Sequence, residues 1–386
     1  MTDRYALTGA RIFDGEQWHE RTALVVADGI VEGTMAADSP SDARRVPLDG
    51  GMLVPGFIDL QVNGGGGVLL NEQPTAEGIR TICETFYQFG TTALLPTLIS
   101  DTPEVTGSAI QAGIETAQRG VPGFLGLHLE GPHLCLARKG AHDPRLIRPM
   151  QEADLRRLID ARAKLPNLLT TVAPETVTPQ QIAALAEAGI VVSIGHSDAS
   201  YTIASAAAAA GASMVTHLFN AQSQLGNREP GVVGAALDSG TLWAGLIADG
   251  IHVHDVAIGI ALRAKRGPGR IFLVTDAMSP TGSPQQSFTL NGRLIHRADG
   301  ALRLADGTLA GADLTMIDAV AHMHRAIGLP LEEALRMAAL YPAQAMGIAG
   351  RQGHLRRGAL ASMVHISDDL RVRATWIAGR EVFHAQ

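Results

Sequence analysis

Short apolar runs that alternate with amphipathic helical patterns constrain this chain more than any other feature of its sequence. The runs are rich in β-branched residues, as buried strands are, and helical spacing separates most of them. The predicted strands are Leu53–Gln61, Thr91–Ile99, Phe124–Glu130, Leu168–Ala173, Ile190–His196, Ser213–Leu218, Leu242–Ala248 and Ile271–Asp276. The predicted helices are Thr75–Gln88, Pro103–Arg119, Glu152–Ala163, Pro179–Ala188, Ala199–Ala210, Val256–Lys265, Leu314–Ile327 and Leu331–Met346. This alternation predicts an α/β fold, specifically a (β/α)8 TIM barrel, although a doubly wound sheet has the same strand count.

The two ends of the chain have a different pattern, of short strands joined by turns. Leu24–Val31 contains an Asp-Gly turn between apolar arms, and Met363–Ile366 and Ala374–Ile377 form similar pieces near the other end. We therefore expect a small β-sandwich domain built from both chain termini, residues 1–53 and 355–386. The barrel domain is expected at 54–354, with a β-rich insertion near 285–310 where three turn dipeptides occur.

Composition excludes several classes of protein. Of 386 residues, 46% are hydrophobic and 18% are charged, which rules out bulk disorder. The 31 Lys and Arg against 38 Asp and Glu give a net charge of −7, so we expect no nucleic-acid partner and no membrane partner. Two cysteines do not make a disulfide framework, and no signal-peptide pattern is visible, so the expected location is cytoplasmic.

Residues capable of chemistry occur at the carboxyl ends of four predicted strands. These residues are Glu130, His196, His217 and Asp276. In a barrel these strand ends converge on one face, where active sites lie. A carboxylate and two histidines form a three-ligand metal site with one position open for water, and Asp276 is then the base beside that water. The alternative is a metal-free barrel with a binding or structural role, in which these positions coincide by chance.

Other conspicuous residues have simpler interpretations. We interpret His128 as a structural residue that faces away from Glu130. The pair His252 and His254 follows a strand and is assigned to a loop. The run Gly64–Gly67 lacks the Lys-Ser/Thr ending of a phosphate loop, so a tight turn or a close backbone approach is expected there.

Eight motifs in order along the chain carry a family resemblance. They are Pro55–Gly64, Leu129–Pro132, Gly195–Ser197, Thr216–Ala221, Asn227–Gly231, Asp249–His252, Val274–Met278 and the stretch from Leu309–Gly311 to Leu314–Met316. With these motifs the chain resembles the amidohydrolase superfamily and, within it, the N-acetylglucosamine-6-phosphate deacetylases. The resemblance covers nearly the whole chain. It implies a metal-dependent hydrolase of amino-sugar metabolism.

The resemblance also implies how many metal ions are bound. The first strand of the wider superfamily ends in His-x-His, which holds a second metal, whereas this chain has Gln61 and Asn63 there. Neutral amides are poor ligands for a transition metal when better ones are near. The implied cofactor is one divalent metal per chain, held by Glu130, His196 and His217. Zinc is the default for such a ligand set, and ferrous iron, cobalt or manganese also fit it.

The implied substrate is a phosphorylated N-acetylated amino sugar, and the remaining site residues follow from the family. His142 would steady the amide carbonyl, and the sugar would be lined by Ala141, Asn220, Ala221, Leu309, Ala310 and Gly311. Arg228 and His252 would contact the phosphate, and Asp249, in the same motif as His252, would also bind the substrate. One phosphate contact would come from the other subunit of a homodimer.

The resemblance leaves two points open. The chain has His133 and Gln222 where the family more usually has an apolar or aromatic residue and a methionine. The motifs do not separate the glucosamine substrate from its galactosamine isomer. A dihydroorotase-like or aminoacylase-like amidohydrolase is a further alternative, against which Gln61 and Asn63 count.

Overall fold

The centre of the fold is a sheet of eight parallel strands. The structure is a computed structural model that describes residues 4–385. The barrel strands, numbered one to eight along the chain, are Phe57–Val62, Thr91–Ile99, Leu127–Glu130, Leu168–Val172, Val191–Ile194, Met214–Val215, Trp243–Leu246 and Ile271–Leu273. Each strand pairs with its neighbour in sequence. A parallel bridge between Val62 and Ala277, and a 2.9 Å hydrogen bond from the Asp276 backbone N–H to the Gln61 carbonyl, join the last strand to the first. The (β/α)8 barrel is confirmed, and the doubly wound sheet is excluded.

Helices follow the barrel strands. They are α1 Ala76–Tyr87, α2 Pro103–Arg119, α3 Glu152–Arg162, α4 Pro179–Glu187, α5 Tyr201–Ala209, α6 Gly231–Asp238, α7 Asp255–Ala264 and α8 Met316–Arg325. The predicted ends of seven of these lie within two residues of the observed ones. Helix α6 was not predicted, because nearly all of its residues are buried and small or apolar, so it has no amphipathic period. The pattern at 331–346 is not one helix but two, Leu331–Ala338 and Leu340–Ala345.

The first predicted strand is also two strands in the structure. Met52–Pro55 and Phe57–Val62 belong to different sheets, and Gly56 separates them. A Cβ on Gly56 would lie 2.2 Å from the Thr92 side chain, so only glycine fits this close approach. Apolar composition alone does not reveal this break.

The ends of the chain form two sheets. In sheet order, the first consists of Ile30–Ala36, Thr22–Ala27, Arg4–Thr8 and Arg44–Pro47. The second consists of Arg380–His384, Val372–Ile377, Met363–Ile366, Met52–Pro55, Arg11–Phe13 and Trp18–His19. Leu7 and Leu24 of the first sheet share a core with Leu53, Met363 and Trp376 of the second. The two faces therefore pack as a sandwich that combines both termini.

The chain divides into two compact units. One contains the residues up to Asp59, Glu84–Ala93 and those from Thr315 onward, and the other contains Leu60–Cys83 and Leu94–Leu314. The domain boundaries drawn from the sequence, 1–53 with 355–386 and 54–354, stay a prediction.

The second unit carries an antiparallel sheet between the eighth barrel strand and α8. Its strands are Ser287–Leu290, Arg293–Ala298, Ala301–Leu304 and Leu309–Ala312. Positive φ angles at Asn291-Gly292 and Asp299-Gly300 form its two tight turns. Its apolar face packs on Ile99 and Met278, which places this sheet beside the carboxyl end of the barrel. Among the residues described, no helix is both long enough and apolar enough to cross a membrane.

Candidate active site

The carboxyl ends of four barrel strands meet at one cavity. Glu130, His196, His217 and Asp276 all line this cavity of about 500 Å³, and all four side chains are buried. His196, His217 and Asp276 have positive φ values of 47°, 28° and 53°. Such values are strained for residues other than glycine and are concentrated at functional sites, because the surrounding structure must hold them.

Three ligand atoms lie at metal-binding separations. Glu130 Oε1 is 3.2 Å from His196 Nε2 and 3.1 Å from His217 Nε2, and the two Nε2 atoms are 3.2 Å apart. Two ligand atoms that each lie about 2.0–2.2 Å from a tetrahedral cation are separated from one another by slightly more than the distances found here. The three atoms therefore fit one face of a tetrahedral site.

The hydrogen bonds of the two rings support the same interpretation. His196 Nδ1 lies 2.9 Å from the Arg138 carbonyl, and His217 Nδ1 lies 3.1 Å from the Asn220 carbonyl. A carbonyl only accepts, so each ring keeps its proton on Nδ1 and turns the Nε2 lone pair toward Glu130. Three acceptor atoms that face one another at these distances offer a divalent cation a set of ligands.

Electrostatics at Glu130 favour positive charge at this centre. Burial opposes ionisation of the Glu130 carboxyl, but its contacts with His196 and His217 hold its pKa well below the usual range. The pKa of His217 is in turn raised, because the contact with Glu130 outweighs the effect of burial. The carboxylate is therefore ionised and presents a negative charge to this centre.

A second set of ligand atoms competes with the first. Glu130, His142 and His196 also bring one ligand atom each within 4.8 Å of the others. The backbone N–H of Ser100 lies 3.4 Å from His142 Nδ1, and the Ser100 hydroxyl lies 2.8 Å from it. An N–H can only donate, so Nδ1 accepts and the proton of this ring is on Nε2. His142 is thus a hydrogen-bond donor toward the cavity, and burial keeps its pKa well below the ordinary value.

Asp276 is a buried carboxyl in the same cavity. It is 9% exposed, and burial together with the charge of Glu130 raises its pKa to about 6. A base with a pKa near the working pH both takes up and releases a proton readily.

The two amides of the first strand contact the two buried carboxylates. Gln61 Nε2 donates to Glu130 Oε1 over 3.0 Å, and Asn63 Nδ2 donates to Asp276 Oδ1 over 2.6 Å. The sequence identified both amides only as replacements for metal-binding histidines.

The structure brings most of the predicted substrate residues to the cavity. Its lining includes Ala141, His142, Asn220, Ala221, His252, Leu309, Ala310 and Gly311. Asp249 does not line the cavity; its Oδ2 lies 2.6 Å from His252 Nδ1 and orients that ring. Arg228 is exposed and does not line the cavity of its own chain.

Sequence reasoning missed two cations in the cavity wall. Arg138 pairs with Asp198 over 2.8 Å, whereas Arg303 donates to the Gly307 carbonyl and has no carboxylate partner among the described residues. Arg303 lies on the inserted sheet, and no sequence pattern shows which strand of an insertion faces a cavity.

The expected direction of His128 is wrong. Residues two apart on a strand share a face, so His128 and Glu130 both point into the barrel. His128 bonds to the Leu60 carbonyl over 3.0 Å and to Thr171 Oγ1 over 2.7 Å, and burial lowers its pKa to about 4. It is therefore a neutral, hydrogen-bonded residue of the barrel interior.

Comparison with known proteins identifies the family. The model of the amidohydrolase family matches residues 52–382. The chain is an amidohydrolase.

Named relatives of this amidohydrolase match it along nearly its whole length. It is 42% identical to an N-acetylgalactosamine-6-phosphate deacetylase of Shewanella sp. (strain ANA-3), over 98% of this chain and 96% of the relative. It is 35% identical to an N-acetylglucosamine-6-phosphate deacetylase of Haemophilus influenzae, over 98% and 99%.

Solved structures agree with these relatives. The N-acetylglucosamine-6-phosphate deacetylase of Pasteurella multocida superposes with a TM-score of 0.94 at 36% identity, covering 98% of this chain and 99% of that one. A variant of the Mycobacterium smegmatis enzyme in complex with N-acetyl-D-glucosamine-6-phosphate superposes with a TM-score of 0.91 at 32% identity, with the same coverage.

Proposed function

We propose that this amidohydrolase converts N-acetyl-D-glucosamine 6-phosphate and water into D-glucosamine 6-phosphate and acetate, a step of amino-sugar catabolism. The observation that carries the proposal is the convergence of Glu130, His196 and His217 beside Asp276 in one cavity. The deacetylase relatives, similar over nearly the full length, supply the substrate class.

The chemistry follows from these side chains. One divalent cation held by Glu130, His196 and His217, which we propose is zinc, supplies Lewis acidity and lowers the pKa of water. Asp276 takes a proton from the attacking water and passes it to the departing amine, which is otherwise a poor leaving group. His142 donates from Nε2 to the carbonyl oxygen as negative charge develops there.

The phosphate needs cations of its own because the chain has a net charge of −7. We assign it to His252, which lines the cavity, and to Arg228 of a second subunit. Arg228 is exposed and outside its own cavity, as a residue that completes a neighbouring site would be.

Exposed apolar side chains on the Arg228 loop and on helix α7 are candidates for the homodimer interface. Leu225 on the loop is 55% exposed, and Val256 and Ile260 on α7 are 62% and 48% exposed. We propose that these side chains form one patch at the dimer interface, since large apolar patches mark protein interfaces. We place the dimer in the cytoplasm, which fits the absence of a disulfide among the described residues.

The galactosamine isomer is the second candidate substrate. It rests on the Shewanella relative named N-acetylgalactosamine-6-phosphate deacetylase, which is 42% identical to this chain. The two sugars differ only in the configuration at carbon 4, so the site that cleaves the amide would be the same.

Acetate release from the two epimeric N-acetylhexosamine 6-phosphates, and from their unphosphorylated forms, tests the proposal. We expect kcat/KM to be highest for the gluco 6-phosphate and far lower without phosphate, with one metal per chain by elemental analysis. Asp276→Asn protein is the control for contaminating activity. A higher kcat/KM for the galacto epimer would select the second candidate, and no acetate from any of the four sugars would reject both.

A further inference from the structure

The first barrel strand presents two buried amides to two buried carboxylates. Gln61 lies in the first barrel strand and Asn63 directly follows that strand, and side chains two residues apart in an extended chain point to the same side. They are 2% and 0% exposed. Each amide donates to a different carboxylate, Gln61 to Glu130 and Asn63 to Asp276.

The orientation of both amides is fixed by chemistry. An ionised carboxylate only accepts hydrogen bonds, so each amide must turn its NH2 group toward its partner. The backbone is fixed as well, because the Asp276 N–H donates to the Gln61 carbonyl over 2.9 Å and the Asn63 N–H donates to the Ala277 carbonyl over 2.8 Å. The donors therefore lie on the same closed sheet as the carboxylates that they contact.

The particular oxygens contacted give the two amides different tasks. Gln61 donates to Glu130 Oε1, the same oxygen that faces both histidine Nε2 atoms. Asn63 donates to Asp276 Oδ1, which leaves Oδ2 to receive a proton. The amide oxygen of Asn63 has no hydrogen-bond partner among the described residues, so the contact with Asp276 is the one that holds this side chain.

We propose that Gln61 and Asn63 are positioning residues with separate duties, Gln61 for the cation ligand Glu130 and Asn63 for the base Asp276. The inference rests on the proposed function, because it assigns Asp276 the role of base. Amide N–H groups hold the two carboxylates without adding a charge, which a histidine-bound second cation would do. The end of the first strand thus positions the proposed catalytic carboxylates, although it offers no histidine to a metal.

Two variants distinguish the two roles. Gln61→Met and Asn63→Leu are nearly isosteric with the parent residues but lack the amide N–H donor. Metal affinity is measured on the metal-free protein by competition with a chromophoric zinc chelator, and kcat and KM are measured at saturating zinc. We expect Gln61→Met to weaken zinc binding about 10–100-fold, as loss of an outer hydrogen bond to a ligand does, and to change kcat at saturating zinc less than threefold.

Asn63→Leu should give the opposite pattern. We expect zinc affinity and KM to change less than threefold and kcat to fall about 10–100-fold, because a misplaced catalytic group costs that much. The acid limb of its kcat/KM profile should move to higher pH, since the lost donor favoured the ionised carboxyl. A role in packing alone would leave that limb unchanged.

Fold integrity is checked by circular dichroism and melting temperature, and Asn63→Ala replaces Asn63→Leu if the latter does not fold. Asn63→Ala removes the donor without adding a charge or a metal ligand, so kcat should fall at unchanged zinc affinity. The proposal would be overturned if the Gln61 and Asn63 variants changed zinc affinity and kcat equally. It would also be overturned if kcat of the Asn63 variant stayed within threefold of the parent value.

Failure of the proposed function is distinguishable from failure of this inference. If the parent protein hydrolyses neither sugar phosphate, chelator competition still decides the duty of Gln61. The role of Asn63 is then tested on the infrared carboxyl band of Asp276. Subtracting the spectrum of the Asp276→Asn variant isolates this band. A pH titration of that band that is the same in Asn63→Leu as in the parent would reject a contact between the two side chains.

Discussion

Asp276 is buried, and two neighbouring side chains influence its carboxyl group. Asn63 donates to one of its oxygens, and the ionised Glu130 lies near enough to raise its pKa. We expect Asp276→Asn to lower kcat by about two to four orders of magnitude, the usual contribution of a general base. Metal content and substrate binding should stay unchanged, because asparagine keeps the shape and loses only the ability to accept the proton. Elemental analysis and equilibrium binding of the sugar phosphate check this, and a variant with near-normal kcat would point to another base.

The same carboxyl sets an acid limit for activity. A base works in its ionised form, so kcat/KM should be full above the pKa of Asp276 and should fall as pH decreases through it. That pKa is about 6 in the structure, and a bound cation favours the charged form, so the acid limb should lie at or below pH 6. A kcat/KM profile between pH 4 and 9 measures it, and an acid limb centred above pH 7 would assign the limb to a different group.

Among the elements, the inserted sheet brings its backbone against the base. Gly311 has a φ of +69°, and a Cβ there would lie 2.5 Å from Met278 Cγ and 2.9 Å from the Asp276 carbonyl oxygen. Gly292, in the first turn of the same sheet and outside the cavity lining, has a φ of +75° and open space around it, which makes it a matched control. Both alanine variants carry the cost of a left-handed residue, about 1–2 kcal/mol. Gly311→Ala should lose about 1–3 kcal/mol more free energy of unfolding than the control variant, because the added methyl group overpacks the site. Its kcat/KM should fall as well. Urea unfolding and kinetics of the pair test this, and equal losses would show that the site tolerates the added methyl group.

Helix α3 begins at an ion pair whose effect depends on pH. Asp154 accepts from Arg148 over 2.7 Å and from the Gln151 backbone N–H over 3.0 Å, and the bond from Arg148 is the main cause that lowers the pKa of Asp154 to about 2. Its folded pKa is below its unfolded value of about 3.9, so the stabilisation is present above pH 4 and is lost as pH falls through 2. We expect Asp154→Asn to reduce the free energy of unfolding by about 1–2 kcal/mol at pH 7 and by less at pH 3. Asp160→Asn, at an exposed position of the same helix, is the control. A loss for Asp154→Asn that does not depend on pH would assign it to packing.

The sequence predicted those parts of the site that depend on strand ends. Glu130, His196, His217 and Asp276 could be grouped because parallel strands of a barrel converge at their carboxyl ends. The bond between Asn63 and Asp276 could not be predicted, because it exists only where the last strand closes on the first. Arg303 could not be predicted either, since the packing of an insertion against Met278 decides which strand faces the cavity. Helix α6 could not be predicted, because it is buried on nearly all sides and therefore has no amphipathic period.

At the scale of the whole molecule, the proposed shared phosphate site predicts complementation between subunits. Arg228→Ala chains lack the proposed phosphate contact, and Asp276→Asn chains lack the base. Mixed under conditions of subunit exchange, the two inactive proteins should form heterodimers in which one site has both groups and regains activity. Sequential affinity purification on two different tags, one on each chain, isolates the heterodimer fraction. No recovered activity in that fraction would place Arg228 in the pocket of its own chain.

The contact between Asn63 and Asp276 has a consequence for how the protein is made. The two residues are 213 positions apart in the chain. At about 5–20 residues added per second, a ribosome completes Asn63 roughly 10–40 s before it reaches the base. During that time the growing chain holds an amide donor and, later, the proposed metal ligands, but not the proposed base. A chain released early is therefore catalytically silent, and hydrolysis begins only after the eighth strand has closed the ring.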